Sequence, residues 1–242
     1  MKTTKNTILI TGGSAGIGLE IAKLFANNNN TVIITGRNKE RLAQTVANHP
    51  NLIPFQGDVN NFEDVQRLKT FIQSEYKHLN VLMNNAGNAF YYDVSETATY
   101  EKAKAEIETN YLSIINLIDE FLPILKLQPF ASIVNVTSIV AFVPTIALPT
   151  YAASKAALHF YTTALRDKLK EHNSTIKVFE VMPPLVNTNF SKAIGGENGI
   201  APQVVAQSLF EAFQKDQYEV PVGATTFVHQ KITETLQNIT LG

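Results

Sequence analysis

Two hydrophobic rhythms alternate along the chain. Thr7–Thr11 and Val32–Thr35 are short runs rich in Ile and Val. Similar runs follow at Leu52–Gln56, Val81–Asn84, Ile133–Thr137 and Ile176–Val181, with a weaker one at Tyr218–Val222. Short unbroken apolar runs of this kind predict strands buried on both faces, as in a parallel sheet. Between them, Ile17–Ala26, Lys39–Ala47, Phe62–Glu75, Tyr100–Leu125, Ala152–Lys170 and Pro202–Lys215 carry apolar residues at helical spacing. Repeated strand–helix alternation predicts an α/β fold, a doubly wound parallel sheet of about seven strands with helices on both faces.

No internal repeat and no interdomain linker interrupts residues 1–242, so a single domain is expected over the whole length. The polar run Asn27–Asn30 is short and sits where a helix-to-strand loop belongs. One long irregular stretch stands out, Pro183–Gly199, with Pro183, Pro184, Gly195, Gly196 and Gly199. A loop this long in a compact domain is usually functional or disordered. Its place after the sixth strand, at the carboxyl edge of the sheet, favours a substrate lid over 184–200.

Composition narrows the partners. Charged residues make up 17% of the chain, against a usual share of about 25%, which points to surface buried in an oligomer. With 20 basic and 21 acidic residues the net charge is −1, so no bulk field favours nucleic acid or an anionic membrane. The absence of cysteine excludes disulfides, thiolate nucleophiles and thiolate metal sites. His49, His78, His159, His172 and His229 show no close pair at ligand spacing, so no metal site is expected. Too few apolar residues precede Gly12–Gly13 for a signal peptide, and no apolar run approaches the roughly 20 residues of a membrane span. A reduced, cytoplasmic protein is expected.

The first chemical signal follows the first strand: Thr11-Gly12-Gly13-Ser14-Ala15-Gly16-Ile17-Gly18, leading directly into a helix. Gly12 would allow the tight turn, Gly16 close backbone approach to a pyrophosphate, and Gly18 close helix–strand packing. The helix start offers free N–H groups and a positive dipole end to phosphates. Strand–glycine loop–helix therefore predicts a Rossmann-type dinucleotide site. At the end of the second strand an NAD site usually carries an acid; here the segment reads Thr35-Gly36-Arg37-Asn38. Arg37 suits a 2′-phosphate, so NADP(H) is favoured over NAD(H). Farther on, Tyr151-Ala152-Ala153-Ser154-Lys155 places a phenol and an ammonium four residues apart, on one helical face. A neighbouring ammonium favours the phenolate and moves a tyrosine towards the working range for proton transfer.

Over essentially its whole length the chain resembles the short-chain dehydrogenase/reductase family, with motifs in the family's order. The glycine segment, including Gly12, Ser14, Gly16, Ile17 and Gly18, is similar to its cofactor loop. Asp58-Val59 resembles the pair that contacts adenine, and Asn84-Asn85-Ala86-Gly87 the Asn-Asn-Ala-Gly motif. Asn110 falls where the family keeps a catalytic asparagine, and Ser138 stands thirteen positions before Tyr151, as its catalytic serine does. The resemblance implies hydride transfer between NADP(H) and a carbonyl or alcohol. Tyr151 would be the general acid/base and Ser138 the partner of the substrate oxygen. Lys155 would hold the ribose and, with the oxidised nicotinamide, lower the Tyr151 pKa. Asn110 would position a relaying water. Thr137 is a rival hydroxyl to Ser138.

There is one departure. The family's Pro-Gly-x-Val-x-Thr reads Pro183-Pro184-Leu185-Val186-Asn187-Thr188 here, a form similar to a bacterial subgroup. Pro184 fixes φ and removes an N–H, so the loop must take a different path, while Pro183, Val186 and Thr188 remain available to the cofactor.

The resemblance also implies a homodimer or homotetramer through the helices around Glu101–Lys126 and Tyr151. Ile114, Ile118, Phe121, Leu158, Phe160 and Leu165 are candidates for that interface or for their own sheet. The expected walls of a moderately apolar substrate pocket are Asn88–Tyr92, Ile139–Leu148 and Phe190–Ile194, with Phe90, Tyr91, Tyr92, Phe142, Leu148, Phe190 and Ile194. The alternative function is an NADP(H)-binding regulator, which would have no need of a catalytic tyrosine.

Overall fold

A computed structural model describes residues 1–95 and 98–240, with side chains through residue 235. The strands are β1 (Thr7–Ile10), β2 (Thr31–Gly36), β3 (Leu52–Gln56), β4 (Val81–Asn84), β5 (Ala131–Val136), β6 (Ile176–Met182) and β7 (Glu219–Pro221). They form one parallel sheet in the order β3-β2-β1-β4-β5-β6-β7, a Rossmann-like arrangement. The helices are α1 (Gly16–Asn27), α2 (Lys39–Asn48), α3 (Phe62–Glu75), α4 (Tyr100–Ile107), α5 (Ser113–Lys126), α6 (Pro149–Glu171), α7 (Pro202–Lys215) and α8 (Ala224–Thr240).

The apolar runs explain the layering. Successive side chains on a strand point to opposite faces, so each run feeds two cores. Ile8, Ile10, Ile34, Met83 and Val181 pack with Phe25 of α1 and Phe213 of α7. Leu9, Ile33, Leu82, Ile133 and Val178 pack on the other face with Ile72 of α3, Phe121 of α5 and Leu158 of α6. Pro54 cannot donate to a ladder, and it lies on β3 at the sheet edge, where no outer strand needs its N–H.

The strand expectations match to within about two residues at each end. Two helical features differ. The single helix expected at Tyr100–Leu125 is interrupted by a π-turn, Glu108–Leu112, between α4 and α5. There the Ser113 amide reaches back to Glu108 O, and the Ser113 hydroxyl takes up Thr109 O at 2.7 Å. Helix α8, which the sequence pattern did not predict, lies against β7 at the opposite sheet edge.

Candidate active site

The strand order reverses between β1 and β4, the point where open α/β sheets leave a crevice beyond the strand ends. The glycine loop lies there. Gly16 has φ +55°, and a Cβ on it would stand 3.2 Å from Thr188 Cγ2. A Cβ on Gly18 would lie 2.4 Å from Asn85 Nδ2 and 2.5 Å from Gly12 O, so only glycine fits. Asn85 Nδ2 donates to Thr11 O and Gly12 O, and the Thr11 hydroxyl accepts from the Asn85 and Ala86 amides at 3.0 and 3.1 Å. The loop and the Asn85–Gly87 segment are thus one braced unit. Ser14 sits under the end of β2, its carbonyl accepting from Thr45 at 3.3 Å, and Ile17 packs on the core.

A dinucleotide fits this cradle. Asn38 caps α2 and Asn61 caps α3, whereas Ala15 gives α1 no side-chain cap and no acid lies in its first turn. That helix start keeps its donors and positive dipole end for an anion. Arg37 follows β2, well exposed, with Nη1 only loosely paired to Asp58 Oδ2 at 3.8 Å. Asp58 and Val59 stand past the end of β3, with Val59 packed on the core. On the other side, Pro183 O accepts from Ile139 N at 2.9 Å. Val186 is buried and bridges to Ile200. Thr188 starts a short 3-10 turn, Asn189–Ile194, and meets the glycine loop at Gly16. The irregular 184–200 stretch is therefore an organised loop, closed by Leu185 O and Asn187 N pairing with Ile200. Pro184 packs towards Gly223.

Ser138, Tyr151 and Lys155 are all buried, at 7, 9 and 3% exposure. Ser138 follows β5 in an extended conformation, its Oγ accepting from Val140 N. The rival hydroxyl, Thr137, turns away and donates to Glu180 Oε1 at 2.7 Å. Pro149 opens α6 in its first turn, and Tyr151 and Lys155 follow on one face. Lys155 Nζ donates to Val136 O at 2.8 Å and lies 5.8 Å from the Tyr151 ring centre. Asn110 stands in the π-turn, fully buried. Its Oδ1 accepts from Asn88 N at 2.7 Å, and its Nδ2 donates to Asn88 O and Ser154 Oγ. A Cβ on Gly87 would stand 3.3 Å from Asn110 Oδ1 and 3.9 Å from Lys155 Nζ, which marks where the two side chains converge.

Burial pushes the Tyr151 phenol well above its usual pKa; the Ser138 hydroxyl draws it down and the Glu106 carboxylate raises it further. Burial pulls Lys155 down from 10.5 to about 8, opposed by the Glu180 carboxylate. The lowering of Tyr151 expected from Lys155 belongs to the site with oxidised nicotinamide bound; in the protein alone, burial is the largest influence on both groups.

Sequence reasoning missed both carboxylates. Glu106, fully buried on α4, accepts from Phe90 N at 2.8 Å and from the Thr150 hydroxyl, which also meets Tyr92 Oη. Glu180, fully buried on β6, pairs with His159 Nδ1 at 2.9 Å. Their signal was a lone acid within an apolar or helical run, which looks like any surface acid until its partners are known. Of the expected pocket walls, the Phe190 ring lies 5.9 Å from that of Tyr151, and Tyr92 and Leu148 are buried. Tyr91 is exposed, while Phe90 and Ile194 are partly buried. Phe142 departs from the expectation: it packs on the His159 and His229 rings, because α6 and α8 offer it an aromatic slot. Among the described residues no cluster of His, Asp or Glu could hold a metal ion, and no helix is long and apolar enough to cross a membrane.

Comparison with known proteins agrees with this geometry. The short chain dehydrogenase family model matches residues 6–199. The uncharacterized oxidoreductase DltE of Bacillus subtilis (strain 168) is 41% identical over 217 residues, covering 89% of this chain and 85% of DltE. The NADP-dependent 3-hydroxy acid dehydrogenase YdfG of Shigella flexneri is 30% identical over 84% of this chain and 82% of its own. A short chain dehydrogenase from Burkholderia cenocepacia J2315, solved in complex with NADP, superposes with a TM-score of 0.85 at 29% identity, covering 99% of this chain and 97% of that one. With the sheet order, the glycine cradle and the buried Ser138, Tyr151 and Lys155 in place, the chain belongs to the short-chain dehydrogenase/reductase family of oxidoreductases.

Proposed function

We propose that the protein moves hydride between NADP(H) and a carbonyl or alcohol substrate, with Tyr151 as general acid/base. The observation that carries this reading is the convergence of Ser138, Tyr151 and Lys155, all buried, on the side of the crevice braced to the glycine loop. Gly12, Ser14, Gly16, Ile17 and Gly18 would hold the pyrophosphate, Asp58 and Val59 the adenine, and Asn85, Ala86 and Gly87 the floor beneath the nucleotide. Pro183, Val186 and Thr188 would line the nicotinamide end. The nicotinamide supplies the hydride chemistry when bound.

The chain's own residues do the rest. At neutral pH the Tyr151 phenol carries its proton, the form that can protonate a carbonyl oxygen as it gains negative charge. Ser138 donates to that oxygen and stabilises the charge. Lys155 holds the ribose hydroxyls. The Asn110 side chain braces Asn88 and Ser154, and with a second lone pair of Oδ1 open it would position a relaying water. Arg37, at a β2 end that carries no acid of its own and only loosely paired to Asp58 at 3.8 Å, favours a 2′-phosphate and hence NADP(H). Related folds hold NADP, NADPH and NAD, so this preference rests on Arg37.

The protein is further proposed to be one domain working in the cytoplasm as a dimer or tetramer, with the 184–200 loop over a small, moderately apolar substrate.

The test is NADPH oxidation across a carbonyl panel, with NADH in parallel and Tyr151→Phe and Arg37→Ala alongside. Turnover should favour NADPH. Tyr151→Phe should still bind NADPH but lose at least about 100-fold in rate, the usual scale of proton-transfer catalysis. Arg37→Ala should weaken NADPH more than NADH. Undiminished turnover in Tyr151→Phe rejects the mechanism, and equal weakening of both nucleotides rejects the phosphate role. Tight NADPH binding without turnover would favour the regulator.

A further inference from the structure

Helix α6 lays a polar stripe on the sheet. Lys155, His159, Thr162 and Arg166 recur at helical spacing and share one face. Beneath them Asn135 Nδ2 donates to Thr162 Oγ1 at 2.9 Å, and Thr137 donates to Glu180. Glu180 stands in the apolar run of β6 with no solvent exposure. A carboxylate in that position is strongly disfavoured unless cations or donors face it. Its Oε1 and Oε2 lie 2.9 and 3.1 Å from His159 Nδ1.

The other charged groups are committed elsewhere. Arg166 Nη2 is 4.0 Å from Glu180, while its Nη1 pairs with Glu219 of β7 at 3.1 Å and its Nε donates to Val178 O. Glu219 also meets His229 of α8 at 3.3 Å. Glu106 of α4 acts on Tyr151. Lys155 has a neutral carbonyl, Val136 O, as its hydrogen-bond acceptor. A buried ammonium with only neutral partners becomes a neutral amine. Val136, whose carbonyl accepts from Lys155 at 2.8 Å, is followed by Thr137, whose hydroxyl donates to Glu180 Oε1 at 2.7 Å, so one peptide step separates the ammonium's partner from the carboxylate's, and the carboxylate favours the charged lysine.

We propose that Glu180, held by Thr137 and His159 behind the crevice, is the counter-charge that keeps Lys155 a cation, a positioning residue acting through the lysine. His159 governs how much of that charge Lys155 feels. Its Nδ1 lies within hydrogen-bond reach of both carboxylate oxygens, so it shares the charge that would otherwise reach the lysine in full. The consequence for turnover rests on the catalytic reading of Lys155 given above. The electrostatic claim itself does not.

The experiment is a pH titration of 13C-lysine-labelled protein by NMR, without nucleotide or substrate, with the Lys155 signal assigned by its loss in Lys155→Met. Lys155 should titrate near pH 8 in the unmutated protein. Glu180→Gln keeps the shape and should lower the midpoint by about one pH unit or more. His159→Gln retains the carboxylate and should leave the midpoint in place or raise it. An unchanged midpoint in Glu180→Gln overturns the proposal. So does an equal fall in both variants, which would mark disturbed packing rather than lost charge. Should Glu180→Gln fail to fold by circular dichroism, the unmutated protein and His159→Gln decide. A lysine already neutral above about pH 6, as burial alone would set it, overturns the proposal. A midpoint near pH 8 that His159→Gln does not lower supports it. Because no turnover is measured, failure here is distinct from failure of the proposed reaction.

Discussion

Lys155 is 3% exposed, and its Nζ donates to Val136 O at 2.8 Å, so folding takes an ammonium out of water for a neutral acceptor. Its pKa falls from 10.5 to about 8 on folding, which at about 1.4 kcal/mol per pH unit destabilises the charged form by about 3 kcal/mol. Between those values the unfolded chain binds more protons than the folded one, so stability rises with pH; below about pH 8 the penalty is constant. Lys155→Met should therefore be more stable than the natural protein near neutral pH, by up to about 3 kcal/mol, and the gap should narrow towards about pH 10. Urea unfolding at both pH values measures it, and a gap independent of pH would reject the assignment. At this scale the sequence was informative where chemistry follows spacing: Tyr151 and Lys155 lie four apart on one face. It was silent on which hydroxyl serves, because Ser138 and Thr137 differ only in direction, fixed by the end of β5 and by Glu180 on the next strand.

Glu106 shows how one element holds another. From α4 it ties the Phe90 amide, in the loop after β4, to Thr150 in the first turn of α6, one residue before Tyr151. Glu106→Ala leaves buried donors unmatched and should destabilise the protein by about 2–3 kcal/mol, while Glu106→Gln, which keeps an acceptor for Phe90, should recover most of that. Urea unfolding gives the magnitude, and faster hydrogen exchange at the Phe90 amide locates it. Unchanged exchange there in Glu106→Ala would reject the tie. Strands were legible because burial on both faces demands unbroken apolar runs such as Ile8-Leu9-Ile10. Helix α3 was legible because Val65, Leu68 and Ile72 mark one face and Asn61 caps the start. The π-turn was not, since one surplus residue leaves the apolar pattern on either side intact. Helix α8 was not, because it packs on a sheet edge, leaves Phe227 exposed and opens on Thr225-Thr226, residues of low helix propensity.

Across the whole molecule, β1 and β4 pair side by side while the chain leaves them towards opposite faces of the sheet, which sets the glycine loop, the Asn85–Gly87 segment and the start of α6 around one crevice. The partition of apolar helix residues became visible only in three dimensions. Ile114, Ile118, Phe121 and Leu158 face their own sheet and Leu165 packs partly on it, whereas Phe160 is 73% exposed. Phe160 and Leu112, the latter also exposed, neighbour in sequence the Tyr111–Tyr161 contact between the π-turn and α6. If those helices form the proposed subunit interface, Phe160→Asp should raise the dissociation constant at least about tenfold by analytical ultracentrifugation, since exposed aromatics are common interface anchors. A natural protein that sediments as a monomer at micromolar concentration would remove that expectation. The π-turn also constrains how the gene can change. Deleting one codon within 108–112 would let the ladder close as an ordinary helix, but would swing α4 by about 100° relative to α5 and carry Glu106 off Thr150. Point substitutions other than at Asn110 leave the length of this stretch unchanged. Its length is fixed, and an alignment gap there should mark loss of the site.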